Sequence, residues 1–303
     1  MSEKKMGTTG HQWDEEEGYP LQELNNPLPT WWLYTFYATI LWAVIYWVLY
    51  PAWPIPGGYT KGILGWSMYA EFQSDMALGK QVKKPFDERL TALALSEIGK
   101  DNELFQYALS GGRAIFGDHC AACHGSGGIG SKAGGFPALV DDDWLYGGTL
   151  EEIAQTIENG RGGIMPAYLD SEGGILTKAQ VEDLTQFVLS LSGKSSDAMA
   201  VARGVELFHG AGGCKNCHGD NGKGSLLDTV DGQPLGSSFG APNLADAIWL
   251  YGSDPEMVKS TIAKGRYGQM PAWGQDSDEP GRKLDPLAIK QVTIYVHSLG
   301  GGK

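Results

Sequence analysis

Cys120-Ala121-Ala122-Cys123-His124 and Cys214-Lys215-Asn216-Cys217-His218 are two copies of one pattern, C-x-x-C-H, and together they use all four cysteines of the 303-residue chain. On a helical turn, thiols three residues apart lie on one side, where they can form thioether bonds to the two vinyl groups of a haem. The imidazole that follows is then presented to the iron. The pattern predicts two covalently attached c-type haems, with His124 and His218 as iron ligands. Four cysteines are too few for a disulfide scaffold. A thioredoxin-like redox pair lacks the strand-helix-strand surroundings here, and a structural zinc site leaves unexplained the Met-Pro that follows each motif.

The surroundings repeat as well. Trp144-Leu145-Tyr146-Gly147 returns as Trp249-Leu250-Tyr251-Gly252, and Gly160-Arg161-Gly162-Gly163-Ile164-Met165-Pro166-Ala167 returns as Gly265-Arg266-Tyr267-Gly268-Gln269-Met270-Pro271-Ala272, both offset by 105 (144 to 249, 160 to 265). The Cys motifs are offset by 94 (120 to 214), so the second copy carries 11 extra residues before its Trp-Leu-Tyr-Gly, expected as a surface loop. Met165 and Met270 are the natural sixth ligands, since a soft thioether raises the potential and occupies the position where oxygen or peroxide would bind. Ligation within each repeat is the simpler expectation. The linker Ser192–Ser196 is so short that the modules must touch, which leaves open a crossed arrangement with Met165 on the iron of His218 and Met270 on that of His124. Arg161 and Arg266 suit either a haem propionate or the charge at a helix C-terminus. Trp144 and Trp249 are expected to pack under a haem edge or at the module interface. His119 and His209 stand too close to their own motifs to reach the far side of an iron, and His297, without a counterpart, is assigned to packing or surface.

Helix signals obey the same duplication. Thr177 with Gln180 forms a capping box ahead of Val181, Leu184, Val188 and Leu191; Asp285-Pro286 precedes Ile289, Val292, Val296 and Leu299 at the same spacing. Middle helices are expected to start at Thr149, boxed by Glu152, and at Ser253, boxed by Glu256. Gly112 before Phe116 and Gly204 before Phe208 allow close helix approach, which predicts that the first and last helices of each module cross there.

From Trp31 to Tyr50 the chain carries no charge for 20 residues, about the 30 Å of a bilayer core as a helix, with Trp and Tyr clustered at both ends. Some 30 mostly polar residues precede it, which fits a retained anchor better than a cleaved leader. The expected architecture is all-α: a segment 1–30, a transmembrane helix 31–50, a linker 51–100 with a helix near Glu88–Ile98, and two tandem cytochrome c-type domains, 101–192 and 197–303. The charge of −13 argues against nucleic-acid binding. Residues 51–303 hold 21 basic and 30 acidic side chains, a net −9 suited to a basic donor protein. Haem attachment of this kind takes place on the outer, oxidising side of a bacterial membrane, placing 51–303 in the periplasm and the first 30 residues in the cytoplasm.

This order of anchor, linker and two haem modules resembles the di-haem subunit (FixP/CcoP, subunit III) of the cbb3-type cytochrome c oxidases. Trp13-Asp14, then Asn25-Asn26-Pro27-Leu28-Pro29 and Trp31-Trp32, is similar to that family's entry into the membrane. The resemblance implies an electron relay, itself not an enzyme, that passes charge from a donor cytochrome c to a mono-haem subunit and then to a haem-copper subunit that reduces oxygen and pumps protons. A free-standing di-haem shuttle, a di-haem peroxidase and the cytochrome subunit of a periplasmic dehydrogenase are the alternatives. A peroxidase needs one iron with an open position, which two equivalent Met-Pro segments oppose.

Overall fold

The computed structural model describes residues 7–13, 21–194, 197–236, 239–274 and 281–300. The chain forms two compact units, 1–82 and 83–303. Of the expected cytoplasmic segment 1–30, the stretches 1–6 and 14–20, with the Lys4, Lys5 and Asp14–Glu17 charges, lie outside the described residues, as do Ser195 and Ser196 of the linker.

In the first unit, β1 (Thr8–Trp13) pairs antiparallel with β2 (Leu21–Leu24) ahead of α1 (Thr30–Leu49). Helix α1 buries no side chain within the chain, leaving aromatic and branched residues outward on every side. Such a surface is stable only against lipid or other apolar protein. Its last turn would leave carbonyls without partners. The chain returns through the short hairpin β3 (Pro54–Ile55) and β4 (Gly58–Tyr59), and the N–H groups of Ile63 and Leu64 donate to the carbonyls of Val48 and Leu49 at 3.0 and 3.1 Å.

Helix α2 (Met68–Ala92) is 25 residues long, so the helix expected near Glu88 begins 20 residues earlier and tolerates Pro85 in its interior. It ends before α3 (Leu95–Ile98), and Leu90 and Ile98 are fully buried with Leu104, Ala108 and Ile294. Lys290 Nζ donates to the carbonyls of Leu90, Thr91 and Leu93 at 2.7–3.2 Å, closing the C-terminus of α2 with a cation.

The haem-motif region follows in strict repeat. Helix α4 (Asn102–His119) leads into the one-turn α5 (Ala121–His124), then α6 (Leu150–Asn159), β5 (Arg161–Met165) and α7 (Lys178–Leu191). Helix α8 (Ala198–His209) leads into α9 (Lys215–His218), the hairpin β6 (Thr229–Val230) and β7 (Gln233–Pro234), then α10 (Pro255–Lys264), β8 (Arg266–Met270) and α11 (Pro286–His297). The Thr149–Glu152 and Thr177–Gln180 capping boxes form with both reciprocal bonds, but α10 is capped by Asp254, with Pro255 at its first position, rather than by Ser253. Part of the 11-residue insertion is the β6–β7 hairpin, turned by Asp231 and Gly232 at positive φ.

Helix pairing departs from the expectation. Helix α4 crosses α11, and α7 crosses α8; each pair joins one repeat to the other. A Cβ on Gly112 would strike the Gln291 carbonyl and the Tyr295 side chain, and one on Gly204 the Asp183 carbonyl and the Phe187 side chain. The close approaches anticipated from glycine are present, with the partners exchanged. The reason is the six-residue connection between α7 and α8, which is short enough to fold α8 back onto the helix it has just left. Two cores result. One holds Val181, Leu184, Phe187 and Val188 of α7 with Phe208, Val258 and Ile262; the other holds Phe116, Ile153 and Ile157 with Ile289, Val292 and Val296 of α11. Helices build both cores, while four two-stranded sheets among the described residues make the class mainly helical instead of purely so.

Candidate haem sites

Each Cys motif occupies a single helical turn. The His124 N–H donates to the Cys120 carbonyl and the His218 N–H to the Cys214 carbonyl, both at 3.0 Å. That turn brings the paired sulfurs to one side and makes the imidazole project next to them. No disulfide joins the four thiols: Cys214 is buried, Cys120 half-buried, Cys123 and Cys217 exposed. Burial pushes the Cys120 and Cys214 thiols up to about 11, which favours their protonated form at neutral pH.

Both imidazoles are held by a carbonyl. Nδ1 of His124 lies 3.0 Å from the Pro137 carbonyl and Nδ1 of His218 lies 3.1 Å from that of Pro242. A carbonyl can only accept, so Nδ1 carries the proton and Nε2 is left with a free lone pair, the state that a metal-ligating histidine needs. Burial lowers the pKa of both rings below the usual histidine value, which keeps them neutral. The residues therefore fit the group on the chemistry of the donor set: two thiols and one oriented neutral nitrogen at each site. Pro137 and Pro242 went unnoticed in the sequence, although they too stand 105 apart, in Gly-Phe-Pro and Gly-Ala-Pro.

The methionines arrive from opposite repeats. Met165 packs on the core that contains Cys214, and Met270 on the core alongside Cys120. Strands β5 and β8 pair antiparallel in the register Arg161 with Met270, Gly163 with Gly268 and Met165 with Arg266. Beyond each methionine, the chain is fastened to the partner repeat by its backbone. Tyr168 and Leu169 donate to the carbonyls of Ile262 and Ala263 in α10 at 3.1 and 3.2 Å; Trp273 and Gly274 donate to Ile157 and Glu158 in α6 at 3.0 and 2.9 Å. Gly265, which ends α10 at a φ of 73°, has no room for a Cβ because the Met165 carbonyl fills that space. Each methionine thus packs on the core that holds a cysteine of the other repeat's motif.

The arginines do not cross. Arg161 Nε donates to Thr156 Oγ1 at 3.0 Å and its guanidinium lies 5.1 Å from the Tyr146 ring; Arg266 Nε donates to Thr261 Oγ1 at 3.0 Å and lies 4.2 Å from the Tyr251 ring. One four-residue step along the chain therefore separates an arginine over its own repeat from a methionine in the other. Thr156 and Thr261 were missed, though they recur at the 105-residue offset, and Tyr146 and Tyr251 were read only as part of the repeated Trp-Leu-Tyr-Gly. Trp144 packs on the core that Cys120 also lines, and Trp249 on the core that contains Cys214. His119 sits against the Trp273 ring and His209 against Phe208, while His297 is partly buried at the end of α11.

Comparison with known proteins adds the family. Residues 5–56 match the N-terminal domain of cytochrome oxidase-cbb3, FixP, and residues 108–188 and 200–285 each match cytochrome C oxidase, cbb3-type, subunit III. The chain is 45% identical to the cbb3-type cytochrome c oxidase subunit CcoP of Azospirillum sp. (strain B510) over 98% of its length and 96% of that protein's. Identity is 45% to the FixP subunit of Azorhizobium caulinodans, over 98% of this chain and 94% of that protein's. It is 42% to the CcoP subunit of Rhodobacter capsulatus, over the whole chain and 98% of that protein's. Two cytochrome-type repeats behind one apolar helix, matched from end to end by such relatives, place the chain in the FixP/CcoP family, subunit III of the cbb3-type cytochrome c oxidases.

Proposed function

We propose that this protein is a membrane-anchored di-haem cytochrome that relays electrons from a donor cytochrome c to the other subunits of a cbb3-type oxidase, a mono-haem subunit and the haem-copper subunit. The observation that carries the reading is the pair of equivalent sites, each with two thiols, a carbonyl-oriented imidazole and a methionine from the opposite repeat. In the crossed assignment Cys120, Cys123, His124 and Met270 hold one haem, and Cys214, Cys217, His218 and Met165 hold the other. A haem so bound supplies one-electron chemistry at a raised potential. The carbonyls of Pro137 and Pro242 orient the imidazoles, and Met270 and Met165 would supply the remaining ligand and exclude oxygen, which makes the subunit a relay and not an enzyme. Arg161 and Arg266 stand ready to pair a propionate from above their tyrosines. Helix α1 anchors the chain in the inner membrane with the haem-bearing part in the periplasm.

The experiment is purification from gently solubilised membranes of a cell able to mature c-type cytochromes. The expected result is two acid-stable haems per chain and co-purification with haem b and copper. Purification without haem b and copper favours the free-standing shuttle. Carbon monoxide bound by a haem of the reduced isolated subunit favours the peroxidase.

A further inference from the structure

We propose that the β5–β8 ladder is a common mount for both methionines, so that sulfur ligation in one haem site is energetically coupled to that in the other, with Gly163 and Gly268 as positioning residues at its centre. The inference rests on the crossed assignment above and extends it.

Each strand is tied down at both ends, and the ends belong to different cores. At its start, β5 is held by Arg161 on Thr156 of α6; past its end, Tyr168 and Leu169 are bonded to α10. Strand β8 is the mirror case, with Arg266 on Thr261 of α10 and then Trp273 and Gly274 bonded to α6. Four residues separate arginine from methionine, a span of about 13 Å when extended, so neither strand has slack. The antiparallel register leaves each methionine paired with the arginine that anchors the other strand. Sliding by one residue would turn every side chain to the wrong face, which makes the ladder either formed or broken. At its centre Gly163 pairs with Gly268, so neither strand carries a side chain there, and an ideal Cβ on Gly163 would stand 3.2 Å from Tyr146 Oη. Loss of one methionine's position would therefore loosen the strand that carries the other. Coupling of this kind is reciprocal by thermodynamic necessity.

The test uses the full-length chain carrying both haems, with Met165→Ala and Met270→Ala as separate variants. The quantity followed at the unsubstituted haem is the pH midpoint at which the ferric state loses methionine, seen as loss of its red absorption band. The expected result is a fall of about one pH unit, tenfold in the ligation equilibrium, of equal size in the two variants. Gly163→Pro, in a chain with both methionines, is expected to lower the midpoint at both haems together. Should that variant not retain haem, Gly163→Ala gives the milder perturbation with the same readout. An unchanged midpoint at the unsubstituted haem, or a Gly163 effect confined to one haem, overturns the coupling. If Met165→Ala instead opens the iron of His124, identified against His124→Ala, the crossed assignment itself fails, a result distinct from loss of coupling.

Discussion

Arg161 stands directly across the β5–β8 ladder from Met270, although 109 residues separate them in the chain. The pairing brings an arginine that is fastened to α6 next to the methionine that packs on the α6 core. Residues from both repeats thus pack around each candidate site, and the following expectations come from that exchange and from the surface around it.

Removing one methionine should open the iron of the other repeat. Met270→Ala is expected to leave the iron of His124 five-coordinate, and the reduced variant should bind one carbon monoxide per chain where the parent protein binds none. Resonance Raman spectra of the adduct, compared in the His124→Ala and His218→Ala backgrounds, identify the haem; adduct formation at the iron of His218 would contradict the crossed assignment.

The exchanged helix crossings set the stability of the whole haem-bearing unit. Gly204→Val forces side-chain carbons into the Asp183 carbonyl and the Phe187 side chain, an overpacking that should cost about 1–3 kcal/mol. Thermal unfolding monitored by haem absorbance should shift down by roughly 2–10 °C for a unit of this size. Gly117→Ala, on the exposed side of α4 where a Cβ meets nothing within 4 Å, is the control expected not to lower the midpoint.

Asp143 gives stability a pH dependence in the acid range. Burial, then the nearby charges of Asp246 and Asp141, push its carboxyl up to about 6, and Lys223 and Glu152 line the same cavity. The native state holds the proton more tightly than the unfolded chain, so stability falls as pH rises from about 4 to about 6 and stays lower above. The group is partly exposed, which limits the effect to roughly 1 kcal/mol. Asp143→Asn should raise Tm by about 2–4 °C at pH 7.5 and leave it unchanged near pH 4; differential scanning calorimetry at the two pH values provides the comparison.

Electron entry should respond to salt. With 30 acidic against 21 basic side chains in residues 51–303, a basic donor is drawn in by long-range attraction. Stopped-flow oxidation of a reduced basic cytochrome c by the intact oxidase is expected to slow several-fold as ionic strength rises from about 0.05 to about 0.3 M. A rate indifferent to salt would remove the steering argument.

Local chemistry was legible in the residues themselves. Cys-x-x-Cys-His needs only one helical turn to present its sulfurs and imidazole, capping boxes such as Thr149–Glu152 close within three residues, and twenty uncharged positions from Trp31 require an apolar surrounding wherever they fold. What tertiary structure alone decided was the partner of each repeated part. Periodicity shows that Val181 and Ile289 face a core without saying whose, because an apolar stripe is satisfied equally by any complementary one. The choice came from chain connectivity. Six residues between α7 and α8 returned the second repeat onto the first, and a taut glycine-rich ladder then carried Met165 and Met270 to opposite sides while Arg161 and Arg266 stayed home.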